Sequence, residues 1–386
     1  MPTPPDLITQ IARLIAEPSV SSTQSRLDHG TLGVIHLLAQ WLSDLGFDTE
    51  ILPLAQQPHK ANLIDILGKG PGGLVLAGHT DTVPFDEHRW RSDPLRLSER
   101  DNRLYGLGTC DMKGFFALVI EAARGFRAKD LQQPLVVLAT ADEESSMAGA
   151  MALVELGRPK ERYAVIGEPT GMRPVYQHKS ILMESIEVVG QAGHSSNPAL
   201  GSSALEAMQE VIQRLLLFRE KLQRQFNNPK FEVQVPTLNL GCIHGGDNPN
   251  RICSSCELHF DLRLLPGMSN QAVRGEIAAT IQEVASARNV SISMRSLING
   301  VEAFAEREDA ELIQAARQIT GYAAETTAFA TEAPYLQQLG LETVVLGPGN
   351  IAQAHQPDEY LALDTLQPCI SALRQLIQRF CLPASG

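Results

Sequence analysis

The stretch LVLAGHTDTVP, residues 74–84, runs an apolar series of Leu74, Val75, Leu76 and Ala77 into His79 and Asp81, two polar groups one residue apart. In an extended chain, residues two apart share a face, so one of the pair can bind a metal through its imidazole while the other orients that ring. The arrangement recurs. LYGLGTCDMKG places Asp111 just before a helix pattern, VVLATADEESS places Glu143 and Glu144 after an apolar strand pattern, YAVIGEPT carries Glu168, and VVLGPGNIAQAHQPDEY carries His355 in a Gly-rich loop. Ligands of open α/β sheets sit beyond the carboxyl ends of strands. Histidines and carboxylates converging on one such edge need a compensating cation, and His with Asp or Glu suits zinc or cobalt better than calcium or magnesium. Each group alone has a plainer reading, as a hydrogen-bonded histidine, a solvated Glu pair or, for Asp111, a helix cap. Their coincidence at successive strand ends points to a metal centre.

The elements that must position these groups fall into two textures. With 386 residues the chain exceeds the roughly 250–300 residues at which a single core stops growing, so two domains are expected. Up to residue 180, helical spacings (Leu7, Ile8, Ile11, Leu14, Ile15; then VIHLLAQWLSDLGF and KGFFALVIEAARGF) alternate with strand patterns such as GGLVLAGHTD, PLVVLATA and YAVIGE. Strands apolar on both faces predict an α/β catalytic domain whose mixed sheet is flanked by helices. From residue 181, ILMESIEVVGQ, TLNLGCIHGG, RICSSCELHFDLRL and VSISMRSL read as strands around two long amphipathic helices. That order predicts an inserted, smaller α+β two-layer domain. The expected division is 1–180 and 294–386 for the catalytic domain and 181–293 for the insert.

Composition removes several functions. Forty-four acidic against thirty-two basic residues leave a formal charge of -12, which opposes binding to nucleic acid or to anionic membranes. MPTPPDLITQ lacks the basic start and apolar core of a signal peptide, and no later apolar run approaches the roughly 20 residues of a membrane span, so a cytoplasmic location is expected. Six cysteines do not make a disulfide framework. Cys253 and Cys256 have motif spacing, but in a strand residues three apart face opposite sides and cannot share a metal.

The set GHTDTVP, GLGTCDMKG, ATADEESSMAG, IGEPT and GPGNIAQAHQPDEY, with QHKS, GHSSNPA, TLNLGCIHGGDNPNRICSSCELHFDLRLLPGM and ATEAP, resembles the M20 metallopeptidases, the dinuclear zinc aminoacylases and carboxypeptidases. The resemblance runs over nearly the whole chain. It implies up to two Zn2+ or Co2+ ions per subunit, with Asp111 bridging, His79 and Glu168 completing one site, and Glu144 and His355 the other. It implies Asp81 as the group that holds His79, and Glu143 as the general base and acid of an amide hydrolysis. His194 in QAGHSSNP would reach the reacting centre of a partner subunit or swing in on closure, making the insert a dimerisation or lid domain of a homodimer. Asn239, Arg251 and Arg263 are candidates for the α-carboxylate of an N-acyl amino acid substrate, although Asp247, Glu257 and Asp261 offer the arginines other partners. N2-acetyl-L-ornithine is the leading expectation, and succinyl-diaminopimelate, acetylcitrulline and dipeptides are substrates that the same metal set would serve. A ligand-binding relic without catalysis is the reading from another class; such a relic can keep its metal ligands and shed the base, whereas Glu143 is present here together with every ligand. Ser180 departs from the resembled enzymes, which carry glycine there, and His178, His244 and His259 have no partner evident from sequence.

Overall fold

The structure is a computed structural model that describes residues 3–383. The chain divides into two compact units, one running to Tyr176 and taking in Glu306–Glu325 and the chain from Thr331, the other Gln177–Ala305 with Thr326–Ala330. The second unit extends beyond 181–293 at both ends. Its connecting segments are zipped together, Phe304 and Ala305 pairing antiparallel with His178 and Gln177, and Val301 bridging Ile181.

In the first unit, α1 (Leu7–Ala16) starts where Asp6 accepts a hydrogen bond from the Thr9 amide, 3.0 Å. It buries Ile11, Leu14 and Ile15, the helical spacing seen in the sequence. There follow α2 (Leu32–Asp44), β1 (Asp48–Leu54), β2 (Gln57–Leu67), β3 (Leu74–His79), β4 (Ser98–Arg100), β5 (Arg103–Tyr105), α3 (Lys113–Ala123), β6 (Leu135–Thr140), α4 (Ala148–Leu156), β7 (Tyr163–Pro169) and β8 (Val175–His178). The sheet order is β1-β2-β6-β3-β7, continued by β15 (Glu342–Gly347) and β8. Strands β6, β3, β7 and β15 are mutually parallel, and β2 and β8 meet them antiparallel. The sheet is therefore mixed. Every residue of β3, β6 and β7 is buried, as parallel strands covered on both faces require. Helix α3, buried at ten of its eleven residues, packs its Phe115 and Phe116 into the same core as Leu74, Leu76, Val137 and Val165.

In the second unit, β9 (Leu182–Val189), α5 (Ala204–Gln225), β10 (Thr237–Gly245), β11 (Ser255–Arg263), α6 (Asn270–Arg288), β12 (Ser291–Ser296) and β13 (Phe304–Ala305) follow in order. Their antiparallel sheet runs β10-β11-β9-β12, and Ile186, Leu258, Phe260 and Leu262 form a second core with Met208, Val211 and Leu215 of α5 and Ile277 and Ile281 of α6. The expected strand over residues 251–264 starts later, at Ser255. Cys253 thus lies outside it, its Sγ donating to the Ser255 carbonyl at 3.2 Å, while Cys256 is buried in the second core. The first unit resumes with α7 (Glu311–Thr320) and, past β14 (Glu325–Thr327), α8 (Ala333–Gln338), β15, β16 (Tyr360–Ala362) and α9 (Leu366–Cys381). Among the described residues no helix is long and apolar enough to cross a membrane.

Candidate active site

The four parallel strands end level with one another. His79 closes β3 opposite Thr140, the last residue of β6, and Pro169 at the end of β7 pairs with Gly347 at the end of β15. Everything the chain places just beyond these residues shares one edge of the sheet. From β3 come His79 and Asp81, from β6 Asp142, Glu143 and Glu144, from β7 Glu168, and from the loop after β15 His355. Gly167 lets α3 sit against β7 beside Glu168, because a Cβ there would lie 2.3 Å from the Phe115 ring.

Asp111 is the centre of the cluster. Its Oδ1 lies 3.1 Å from His79 Nε2 and its Oδ2 lies 3.5 Å from His355 Nε2, so the two oxygens face different histidines. His79 Nε2 is also 3.6 Å from Glu168 Oε1, and His355 Nε2 is 3.1 Å from Glu144 Oε2. Ligand atoms of His79, Asp111 and Glu144 all fall within 4.8 Å of one another. Asp111 is no helix cap: the residue that caps α3 is Met112, without a side-chain bond.

The electrostatics follow from this crowding. The carboxyl of Asp111, though buried, is held well below its ordinary range by His355 and His79. Asp111 and Glu144 raise His355 to about 10. Burial disfavours the charged ring of His79, but Asp111, Glu168 and Glu143 outweigh it and hold the ring well above its ordinary value. Glu143 is pushed far up by burial, and Glu168 and Glu144 add to that rise against the pull of His79. Glu168 is pushed far up in the same way, by burial and by Asp111. Clustered carboxylates of this kind resist ionising together unless positive charge is supplied.

Asp81 works through the backbone. Its carbonyl is 3.0 Å from His79 Nδ1 and its carboxylate 3.6 Å, while the same carboxylate accepts the amides of Glu143 at 3.2 Å and Glu144 at 3.1 Å. One buried aspartate therefore fixes both the imidazole of β3 and the Glu pair after β6.

Three further groups escaped the sequence reading. Glu359 is buried and accepts the amides of Gly108 (3.1 Å), Cys110 (2.8 Å) and Asp111 (3.0 Å), and burial pushes its carboxyl up to about 8. Lys60 is buried in β2 and pairs with Asp142 and, at 2.7 Å, with Asp28. Glu332, in the ATEAP stretch, is buried close enough to feel His79, and burial raises its carboxyl to about 7. For Lys60 and Glu332 the available signal was a charged residue at the edge of an apolar or small-residue run (KANLIDIL, ATEAP), a place where an unpaired charge is too costly to keep, whereas Glu359, in QPDEY, offered none.

The remaining sequence candidates lie in the second unit. His194 is exposed at a turn, with Ser196 Oγ 2.7 Å from its Nδ1. Arg251 pairs with Asp247 at 2.5 Å and Arg263 with Asp261 at 3.0 Å, the local partners that the sequence offered, and Asn239 is exposed on β10. Arg251 also lines a groove of about 870 Å³ with Ser195, Ser202 and Asn248. The Ser180 hydroxyl, where the resembled enzymes have glycine, accepts the Leu264 amide at 3.0 Å. His178 is buried with Nδ1 2.8 Å from the Lys179 carbonyl and its ring against Phe304.

Residues 75–379 match the model of peptidase family M20/M25/M40. The chain is 47% identical over 377 residues to the acetylornithine deacetylase of Edwardsiella ictaluri, covering 98% of both chains. In fold it is similar to the metallo-carboxypeptidase of Sulfolobus solfataricus, with a TM-score of 0.75 at 15% identity over 97% of this chain and 99% of that one. It is likewise similar to a dinuclear metal-binding peptidase of Bacillus subtilis, with a TM-score of 0.66 at 16% identity over 97% and 98%. Motif order, strand-end geometry and full-length similarity agree, and the chain belongs to the M20/M25/M40 peptidase family.

Proposed function

We infer that the protein is a metal-dependent amide hydrolase that converts N2-acetyl-L-ornithine to L-ornithine and acetate, a step of arginine biosynthesis. The observation that carries the chemistry is Asp111, which offers one oxygen beside His79 and the other beside His355. The substrate rests on full-length similarity to acetylornithine deacetylases.

The donor set fits a pair of divalent cations, since nitrogen and carboxylate oxygen donors converge and several buried carboxylates lack enough positive charge around them. His79, Asp111 and Glu168 would hold one ion, and Asp111, Glu144 and His355 the other, with zinc or cobalt the metals this chemistry favours. When bound, such ions supply Lewis acidity to the amide carbonyl and acidity to a water. The protein's own work is proton transfer and positioning. Glu143 takes a proton from the attacking water and delivers it to the departing amine, a role suited to a carboxylate whose affinity for protons is raised by burial. Asp81 keeps that carboxylate in place through the Glu143 amide. We assign His194 to the oxyanion and Asn239, Arg251 and Arg263 to the substrate carboxylate. The enzyme acts as a homodimer in the cytoplasm, the former supported by apolar side chains left exposed in the second unit, Leu205 and Leu217 of α5 and Ile243 of β10.

The test is turnover of metal-stripped protein before and after addition of zinc or cobalt, with N2-acetylornithine, acetylcitrulline, succinyl-diaminopimelate and a dipeptide. Restored turnover with N2-acetylornithine preferred is expected. Preference for another substrate overturns the specificity, and absence of turnover despite bound metal overturns the enzyme.

A further inference from the structure

A group of side chains in the second unit has no part in that reaction. Strand β11 buries Cys256, Leu258, Phe260 and Leu262 in the second core and turns Glu257, His259 and Asp261 to the other face of the sheet. On the neighbouring strand β10 the register shifts between Leu240 and Cys242, which makes Cys242 the cross-strand partner of His259. His244, two residues on, shares the face of Cys242. The shift at Gly241 thus converts what would be a thiol on the core side into one set beside two histidines.

The side chains meet in pairs on that face. Cys242 Sγ lies 3.0 Å from His244 Nε2, and the rings of His244 and His259 meet edge to face with centroids 6.3 Å apart. His259 Nε2 is 3.0 Å from Glu257 Oε1, and that carboxylate is fixed by Ser185 Oγ at 2.6 Å and by Arg295 at 2.7 Å. A carboxylate that engages one ring nitrogen of a histidine orients the other toward a metal. Cys242 and His244 are exposed, so an ion reaches them without any opening of the core.

We propose that Cys242, His244 and His259 form a further metal site, built wholly within the second unit, that takes a thiolate-favouring transition-metal ion such as zinc or copper(I). One sulfur and two imidazole nitrogens select such ions over magnesium or calcium, whose ligands are oxygen. Metal–sulfur and metal–nitrogen bonds of about 2.3 and 2.0 Å in a tetrahedron separate S and N by roughly 3.6 Å. The Cys242–His244 pair at 3.0 Å opens by about half an ångström to admit the ion, and rotation of the Cys242, His244 and His259 side chains, whose donor atoms are not all gathered within 4.8 Å of one another, closes the three onto it. Binding releases the thiol proton to solvent and leaves water in the fourth position.

The candidate ligands of the first unit are nitrogen and oxygen only, so a thiolate-to-metal charge-transfer band that depends on Cys242, and not on the other free cysteines, reports this site. Metal-free protein is titrated with Co2+ under a phosphine reductant, and near-ultraviolet absorption is followed. A saturable band is expected that Cys242→Ser abolishes, that His259→Ala shifts to at least about tenfold weaker cobalt affinity, and that added zinc reverses. Both substitutions are on the solvent side of the sheet, and far-ultraviolet circular dichroism confirms folding. No band in the wild-type protein, or a band that survives Cys242→Ser, overturns the site.

Discussion

Lys60→Met removes the ammonium group that the structure sets between Asp142 and Asp28. Lys60 and Asp142 side chains are 2% and 1% exposed, and Asp28 is 16% exposed. Removing one member of a buried pair costs about 3–5 kcal/mol, because the partner is left as an uncompensated charge. Asp28 can hydrate and Asp142 keeps the Ser145 hydroxyl at 2.8 Å, which places the expected loss near the lower end, at about 3 kcal/mol. Asp142 immediately precedes the Glu pair and has a positive φ of 65°, a conformation that non-glycine residues hold only when their surroundings impose it. Release of Asp142 therefore displaces Glu143, and kcat falls more than KM rises. Urea unfolding and steady-state kinetics at neutral pH, on Lys60→Met and on Lys60→Met with Asp142→Asn, form the assay. The double variant recovers stability relative to the single one, since no buried charge then lacks its partner. A single variant within about 1 kcal/mol of wild type with unchanged kcat refutes the reasoning.

Other outcomes follow from the same geometry. Glu143→Gln lowers kcat by about 10²–10⁴-fold, the usual share of a general base, while metal content by atomic absorption stays at the wild-type level. Glu359→Ala strips three amides of their acceptor, so metal affinity measured by chelator competition falls, and Glu359→Gln, which keeps the shape and one acceptor oxygen, recovers part of it. Asp65 on β2 is buried, and burial lifts its carboxyl to about 7 against a pull from Thr49 across the strand. A carboxyl raised in the folded state costs nothing below its unfolded value, costs progressively more as pH climbs between the two values, and costs the full amount above the folded one. Asp65→Asn therefore stabilises at pH 8 by an amount on the order of 2–4 kcal/mol, and the gain fades toward pH 4; a pH-independent difference in thermal midpoint contradicts this.

The sequence announced the parts of the fold that depend on local pattern. The run Leu74–Ala77 is apolar at every position, and β3 is buried along its whole length between two parallel neighbours. Groups placed just past such runs share a sheet edge whatever the connecting lengths, so His79, Glu143, Glu144 and Glu168 could be gathered without knowing the strand order. Glu359 was invisible because its partners are backbone amides about 250 positions away, and no side-chain motif records them. Lys60 meets Asp142 82 positions on. His244 and His259 lacked partners on paper because cross-strand register, here shifted at Gly241, is not a local property. The late start of β11 has the same root: 251–254 alternate well enough to read as strand, but the chain there turns through Asn248–Arg251 and leaves only an isolated bridge to His194.

The groups that hold the cluster are themselves carboxyls. Asp81 accepts the Glu143 and Glu144 amides, and Glu359 accepts those of Gly108, Cys110 and Asp111. Each becomes a stronger anchor when it ionises, since hydrogen bonds to a charged acceptor are roughly twice as strong as neutral ones. The consequence is a sheet edge where carboxylates bind the backbone as well as surround the centre, with His79 and His355 facing Asp111. Such an edge is stable only if positive charge arrives from outside the chain. Metal and fold are then coupled: withdrawing the ions leaves mutually repelling carboxylates whose positions the backbone still enforces. A chelator-treated protein accordingly unfolds at lower temperature than the loaded one, and by more than Glu143→Gln changes it, because that substitution removes one charge while chelation uncovers several. Equal midpoints with and without metal would show instead that the backbone anchors alone sustain the cluster.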